Sequence, residues 1–272
     1  VFACKPAPVQ FTWLGYLGTT GLTNIDYRLC DDHTDPVGIA EEWQVESPAR
    51  LPDSQWCYQP QVELPPSSPL PMLANGFCTF GSFNQASKLN EHVLAVWADV
   101  LSAITGSRLK IFGIVDLLMK ERILALMSSR QISFDRIDLI GRAPIDSYFA
   151  CYREVDIALD TFPYNGATTT CDALIMGVPV ATVAGERSIA RGGISLLTTV
   201  GLQEWIAASS RDVAPMLERL VRDPGLVAQL RRELPGRMRA SALMDGEKFT
   251  RNLEMIFRSA WLNACASGSA VS

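Results

Sequence analysis

Residues Asp156 to Gly185 read DIALDTFPYNGATTTCDALIMGVPVATVAG, a stretch with no Lys or Arg that gathers hydroxyls and an acid around one turn. A short apolar run, Ile157 to Leu159, ends in Asp160 and passes through Phe162, Pro163 and Tyr164. The chain then turns at Asn165 and Gly166 into a helix opened by Thr168, Thr169 and Thr170. Three hydroxyls beside the free amides of a first helical turn make a neutral cradle for an anion. Asp172 follows Thr168 by four residues, so the two share a helix face one turn apart. A carboxylate there suits a phosphate poorly but can accept hydrogen bonds from the two hydroxyls of a ribose. The plainer alternative makes Thr168 a helix cap and Asp172 a solvated first-turn acid. A phosphate also calls for a cation, and Lys88 offers one, entering the next helix about one turn after Asn84 at the end of the run Phe77 to Phe83. Its plainer alternative is a surface lysine at a helix start, the more so since a cation there is locally unfavourable. Gly15, Gly18 and Gly21 around Thr19 and Thr20 could form a second backbone-rich loop near a sugar or phosphate, or merely a tight turn. Neither a GxxxxGK(S/T) loop nor a convincing GxGxxG follows any strand.

Positioning these groups requires strands that end where helices begin. Val9 to Leu14 reads as a buried strand and Asp26 to Cys30 as another, with a helical turn over Pro36 to Glu42. Residues 59 to 73 hold five prolines and no regular period, which predicts an extended connector. The expected organisation is therefore residues 1–58, a Pro-rich linker 59–75, and a unit 76–272. In that last unit strands are expected at Phe77 to Phe83, Arg108 to Phe112, Ile137 to Ile140, Ile157 to Leu159 and Val178 to Val183. Helices are expected between them at Asn90 to Ile104, Val115 to Arg130, Ile145 to Arg153 and Thr168 to Met176, then at Ile189 to Val200. Val93, Leu94, Trp97, Val100, Leu101 and Ile104 give the first of these one apolar face. Such alternation predicts an α/β fold with a Rossmann-like, doubly wound parallel sheet. Asp212 to Val221, Gly225 to Glu233 and Glu247 to Leu262 read as further helices.

The 272 residues carry 24 Lys plus Arg against 29 Asp plus Glu, a net charge of −5, with 48% apolar and 19% charged residues. This composition excludes a disordered tail or coiled coil and predicts a core-rich globular protein. An isoelectric point of about 5.2 argues against a dedicated nucleic-acid binder, which needs a basic footprint. The longest uncharged stretch, Leu64 to Ser87, contains Pro65, Pro66, Pro69 and Pro71, so no membrane-spanning helix is expected there. Seven scattered cysteines without a CxxC pair suggest small buried thiols of a cytoplasmic protein rather than a zinc or disulfide framework. The two histidines, His33 and His92, leave few candidates for a histidine base.

Five segments together carry a specific resemblance: VQFTWLGYLGTTGL (9–22), IDYRLCDD (25–32), TFGSFNQASK (79–88), VDIALDTFPYNGATTTCDALIMGVPVATVAG (155–185) and FTRNLE (249–254). In content and order they resemble the protein O-linked N-acetylglucosamine transferases, including the bacterial SPINDLY-like members. The resemblance implies a two-Rossmann glycosyltransferase of the B type, inverting and without metal or other cofactor, that moves a sugar from a nucleotide donor to a Ser or Thr hydroxyl of a protein. Position by position, it implies donor diphosphate contacts from Gln85 and Lys88, with Lys88 stabilising leaving-group charge. Thr168 and Thr169 would hold the diphosphate, Asp172 the ribose, and Ala143 the base through its backbone, with Gly166 also in the nucleotide-sugar site. Tyr148 stands where the family usually has a donor-contacting histidine, Ala167 replaces a histidine of animal members, and Leu17 replaces a proline. The family's first Rossmann half and tetratricopeptide repeats have no counterpart here, so the chain is expected to comprise the end of the acceptor-side half and a complete donor half, with the missing initiator Met reading as truncation. The expected donor is UDP-N-acetylglucosamine and the expected acceptor a protein or peptide, with no nucleic-acid or membrane partner. O-fucosyl transfer from GDP-fucose, a non-catalytic nucleotide-sugar-binding module, and a two-Rossmann epimerase are the alternatives.

Overall fold

The computed structural model describes residues 1–266. Two parallel sheets organise them. The smaller joins β1 (Phe11–Thr12), β2 (Tyr27–Asp31) and β3 (Ser47–Leu51) in chain order. The larger contains β4 (Thr79–Ser82), β5 (Arg108–Phe112), β6 (Ile137–Ile140), β7 (Ile157–Leu159), β8 (Val180–Val183) and β9 (Ile206–Ala207), in the spatial order β6-β5-β4-β7-β8-β9. The chain thus starts in the middle, winds out to β6, and returns to the other side of β4 at β7. Helices carry each crossover of this larger sheet, because parallel strands cannot be joined by a tight turn. This is the doubly wound α/β architecture expected from the alternation, and its order reverses between β4 and β7. At such a reversal the connections leave in opposite directions and open a crevice beyond the strands' carboxyl ends.

The elements follow from their residues. In α2 (Glu91–Ala103) the Asn90 side chain accepts the Val93 N–H at 3.0 Å, and Val93, Leu94, Trp97, Val100 and Leu101 are buried on one face. Asp116 caps α3 (Leu117–Ser129) in the same way. After α4 (Ile145–Cys151) and β7, α5 (Thr168–Ile175) buries six of its eight residues. The chain closes with α6 (Gly192–Thr199), α7 (Val213–Val221), α8 (Pro224–Ala240) and α9 (Gly246–Ala266). Among the described residues no helix is long and apolar enough to cross a membrane.

Several boundaries differ from expectation. The strands β3 and β9 carry no strong alternation. β3, with the sequence SPARL, is defined by its register on β2, Tyr27 opposite Ser47 through Asp31 opposite Leu51, and its proline suits a sheet edge. The connector is not extended throughout, since α1 (Pro71–Asn75) closes it with Pro71 at the first helical positions and Gly76 left-handed at φ 76°. The eighth helix continues past the expected end at Glu233 and across Pro235, because Leu234 and Met238 keep burying its apolar face.

Buried charge ties the connector and the two sheets together. Arg231 of α8, 2% exposed, donates to Ser68 O at 2.9 Å and Val155 O at 2.7 Å. Asp156, just before β7, accepts the N–H groups of Met72 and Thr79, each at 2.8 Å. From the small sheet, Asp31 accepts the Ser195 hydroxyl of α6 at 2.6 Å, and Asp35, paired with Arg28, accepts that of Ser188 at 2.6 Å. The last helix crosses back, setting Phe257 edge-on to Phe11 at 4.8 Å and Phe249 over Trp13 at 5.5 Å. The small sheet therefore forms one wall beside the crevice.

Candidate functional site

The crevice at the reversal is built on two strand ends. Beyond β7, Asp160 lies buried with Oδ1 accepting the N–H groups of Gly166 at 2.7 Å and Thr161 at 2.8 Å, while Oδ2 accepts the Thr182 hydroxyl at 2.7 Å. These bonds fix the turn that leads into α5. Burial pushes the Asp160 carboxyl up to about 6, against the pull of those donors and of the Lys88 charge. Gly166 is required by close approach: a Cβ there would sit 2.7 Å from Thr169 Oγ1 and 2.9 Å from Asn84 Oδ1. Asn84, beyond β4, thereby packs against the α5 turn.

Lys88 does not enter a helix. It ends a short 3-10 turn, Ala86–Lys88, and α2 begins three residues later. Its ammonium donates to Asn165 O at 2.7 Å and lies 4.0 Å from the Tyr164 ring centre. Burial lowers its pKa and the nearby Asp160 charge raises it. The cation is thus held by a carbonyl and a ring face at the lip of the α5 turn, and among the described residues no carboxylate is bonded to it. Thr168 is exposed at the helix start rather than capping it, since the cap position is Ala167 and no side chain bonds there. Lys88, Gln85, Thr168 and Thr169 line one cavity of about 560 Å³, walled on the far side by Leu14, Trp56 and Tyr58. An adjoining cavity of about 590 Å³ shares Asn84, Gln85 and Ser87 and is lined by Phe83, Phe112, Met119, Ala143 and Tyr148. Gly166 lies just beneath the first cavity, against Thr169.

Asp172, 6% exposed, lines neither cavity itself but is bonded to Tyr58, which lines the first, and to Tyr148, which lines the second. Its Oδ1 accepts the Tyr58 hydroxyl at 2.6 Å and its Oδ2 the Tyr148 hydroxyl at 2.9 Å. Burial raises the Asp172 pKa, and the two phenols pull it back. Asp172 is therefore not the solvated first-turn acid of the plainer alternative. Burial and the Asp172 charge push both tyrosines well above the ordinary phenol value, so they stay protonated donors. Tyr148 also pairs with the Tyr152 hydroxyl at 2.7 Å and stands edge-on to Phe83, which is stacked between Phe112 at 4.2 Å and Tyr152 at 3.7 Å.

The loop of Gly18, Thr19 and Thr20 does not join this crevice. Thr19 Oγ1 donates to Glu46 Oε2 at 2.6 Å, and the Thr20 N–H donates to Glu46 Oε1 at 2.7 Å, with the Thr20 hydroxyl on the same oxygen. Their donors are spent on a buried carboxylate, which would repel an anion. Gly18 and Thr19 line a separate cavity with Trp43 and Arg187. His33 and His92 line neither cavity of the crevice: the His33 carbonyl accepts from Arg191, and His92 is exposed beside Phe162. Among the described residues no cluster of three His, Cys, Asp or Glu could hold a metal. Sequence reasoning gave no role to Asp160, Asn84 or Tyr58. The first two could have been found from their places at the ends of β7 and β4, whereas Tyr58 stands 114 positions from its partner and carries no local signal.

A switch-point crevice flanked by a second parallel sheet defines the two-Rossmann, B-type glycosyltransferase fold. A sucrose-phosphate synthase from Thermosynechococcus elongatus shares it with a TM-score of 0.63 at 14% identity, covering 89% of this chain and 60% of that one. A mutant of the Thermobaculum terrenum O-GlcNAc transferase matches with a TM-score of 0.88 at 34% identity, over 98% of this chain and 51% of that chain. The model of glycosyl transferase family 41 matches residues 1–57 and 68–253, and the chain belongs to that family. A probable UDP-N-acetylglucosamine–peptide N-acetylglucosaminyltransferase SPINDLY from Petunia hybrida is 43% identical over 270 residues, 97% of this chain and 29% of the relative. The SPINDLY protein of Arabidopsis thaliana is 40% identical over 266 residues, again 97% of this chain and 29% of its own length. The chain thus spans under a third of the length of these relatives.

Proposed function

We propose that the chain forms the donor-binding half, with part of the acceptor-side half, of an inverting protein O-glycosyltransferase that transfers N-acetylglucosamine from UDP-N-acetylglucosamine to Ser or Thr hydroxyls. The observation that carries this reading is Lys88, held 2.7 Å from Asn165 O at the lip of the α5 turn beside Gln85, Thr168 and Thr169. In the reaction the acceptor oxygen attacks the sugar C1, the bond from C1 to the diphosphate oxygen breaks, and the electron pair leaves with the nucleoside diphosphate. Lys88 and the first-turn amides of α5 meet that growing charge without needing to reorganise, the condition under which electrostatic stabilisation is largest. The hydroxyl proton passes to a base that the resemblance assigns to an upstream acceptor-side half. The nucleobase of the donor would occupy the cavity of Ala143 and Tyr148, and the ribose would meet Asp172. The names of the relatives support the donor and the peptide acceptor. The proposed setting is the cytoplasm, with residues 1–58 ending one half, a linker at 59–75, the donor half at 76–272, and tetratricopeptide repeats upstream in the whole protein.

A second reading, transfer from GDP-fucose, is favoured by Asp116. It lines the base cavity, and its capping bonds are long, 3.4 Å to Leu118 N and 3.3 Å to Met119 N. Its carboxylate could turn to the two donors on the edge of a guanine. Calorimetry with UDP and GDP separates the readings: tighter UDP binding supports the first, tighter GDP binding the second, and binding of neither overturns both. Mass spectrometry of a Ser/Thr peptide incubated with each sugar nucleotide then distinguishes transfer of either sugar from a binding-only module.

A further inference from the structure

Tyr58 reaches the crevice from outside the unit that builds it. It follows the small sheet directly and lies one residue beyond the first stretch matched by the family model. Its backbone N–H donates to Leu243 O at 2.7 Å, and its hydroxyl donates to Asp172 Oδ1 at 2.6 Å. The second oxygen of Asp172 is held from the opposite side by Tyr148, itself fixed by Tyr152. An ionised carboxylate offers about four lone-pair directions. Two phenols occupying one direction on each oxygen lock the carboxylate plane and leave one on each oxygen, the pattern that a vicinal diol with two O–H donors can fill. Without the Tyr58 bond the carboxylate is anchored from the Tyr148 side alone and can turn about its Cβ–Cγ bond.

We propose that Tyr58 is a positioning residue that holds Asp172 square to the ribose 2′- and 3′-hydroxyls and so sets a preference for ribonucleotides over 2′-deoxyribonucleotides. This rests on the assignment of Asp172 to the ribose. It makes the wall contributed by the small-sheet side part of donor recognition, although no phosphate or base contact is required of it.

The test is calorimetry of the full chain with UDP, 2′-deoxy-UDP and inorganic pyrophosphate, with GDP and 2′-deoxy-GDP in parallel, on wild type, Tyr58→Phe and Asp172→Asn. The wild type is expected to bind the ribonucleotide more tightly. Tyr58→Phe should cut that ratio about five- to tenfold, less than the loss of a hydrogen bond to a charged group made directly by the ligand, because Tyr148 still holds the carboxylate from one side, while leaving pyrophosphate affinity unchanged. Asp172→Asn should abolish the ratio. If Tyr58→Phe keeps the wild-type ratio while Asp172→Asn abolishes it, the role of Tyr58 is overturned and the Asp172 assignment stands. If Asp172→Asn keeps the ratio, or the wild type shows none, the assignment itself fails and the proposal with it. A Tyr58→Phe protein that loses pyrophosphate and ribonucleotide affinity in equal measure, with its ratio intact, has been damaged structurally and also overturns the proposal.

Discussion

Two loops of this molecule look alike as strings, each joining glycine to consecutive threonines: Gly18-Thr19-Thr20 and Gly166-Ala167-Thr168-Thr169. In the first, a buried glutamate, Glu46, takes up both hydroxyls and a backbone N–H. In the second, the aspartate, Asp160, sits behind the turn, and a lysine stands in front of it. An anion site therefore depends less on possessing donors than on where the nearest carboxylate lies. One placed in front consumes the donors, while one placed behind orients them.

Changes at the two loops should have opposite readouts. The largest effect is expected from Lys88→Ala, which should weaken UDP about ten- to a hundredfold, since hydrogen bonds to charged groups contribute about 1.5–3 kcal/mol. Unchanged UDP affinity by calorimetry would remove the second loop's claim to be the anion site. Gly166→Ala should cost about tenfold in UDP affinity, because its Cβ meets cradle atoms at 2.7 to 3.0 Å. Gly18→Ala should leave UDP binding unaltered, as its Cβ meets chiefly the exposed Tyr16 ring, which can swing away. A UDP defect in Gly18→Ala matching that in Gly166→Ala would erase the distinction.

Glu46→Gln should leave UDP affinity intact and lower the unfolding free energy by about 1–3 kcal/mol, read in a denaturant titration. Burial opposes charge on Glu46, but the bonds from Thr19 and Thr20 outweigh it and hold its pKa below the ordinary 4.5. A depressed acid pKa stabilises the fold above the unfolded value and loses that contribution as pH falls through the folded one. The variant should therefore lose less stability than wild type on acidification below about pH 4.5. The smallest effect concerns Asp160. With its pKa raised from 3.8 to about 6, the folded protein keeps a proton that the unfolded chain has released, so stability declines as pH rises through that window. Asp156 is raised to about 6 by the same cause, burial. Asp172 is raised in the same direction, so Asp160→Asn should make the decline between pH 4 and 6 shallower by the share of one proton, and an unaltered slope would show that Asp160 ionises normally.

Much of the framework was legible in the chain. The boundaries of β5, β6 and β7 and the apolar face of α2 follow from period and punctuation, which are local properties. The strands β3 and β9 were not legible, because SPARL and Ile206–Ala207 become strands only through the neighbours that pair with them. The site divided along the same line. Lys88, Thr168, Thr169 and Asp172 stand out by type and spacing around strand ends. Tyr58 does not, since nothing near it in sequence indicates an acid more than a hundred residues away.

By itself, the sequence determined the class of fold and, through several ordered motifs, the resemblance to the family, and it singled out the helix proposed to hold an anion and the lysine proposed to meet it. These are statements about neighbours a few residues apart, where 2- and 3.6-residue periods decide which side chains share a face. Only the tertiary structure decided that Glu46 fills the first glycine-threonine loop, that Asp160 braces the second from behind, and that Tyr58 and Tyr148 clamp Asp172 from two sides. The reason is that a buried polar group must find its partners wherever the packed chain brings them, and those distances are set in space rather than along the sequence.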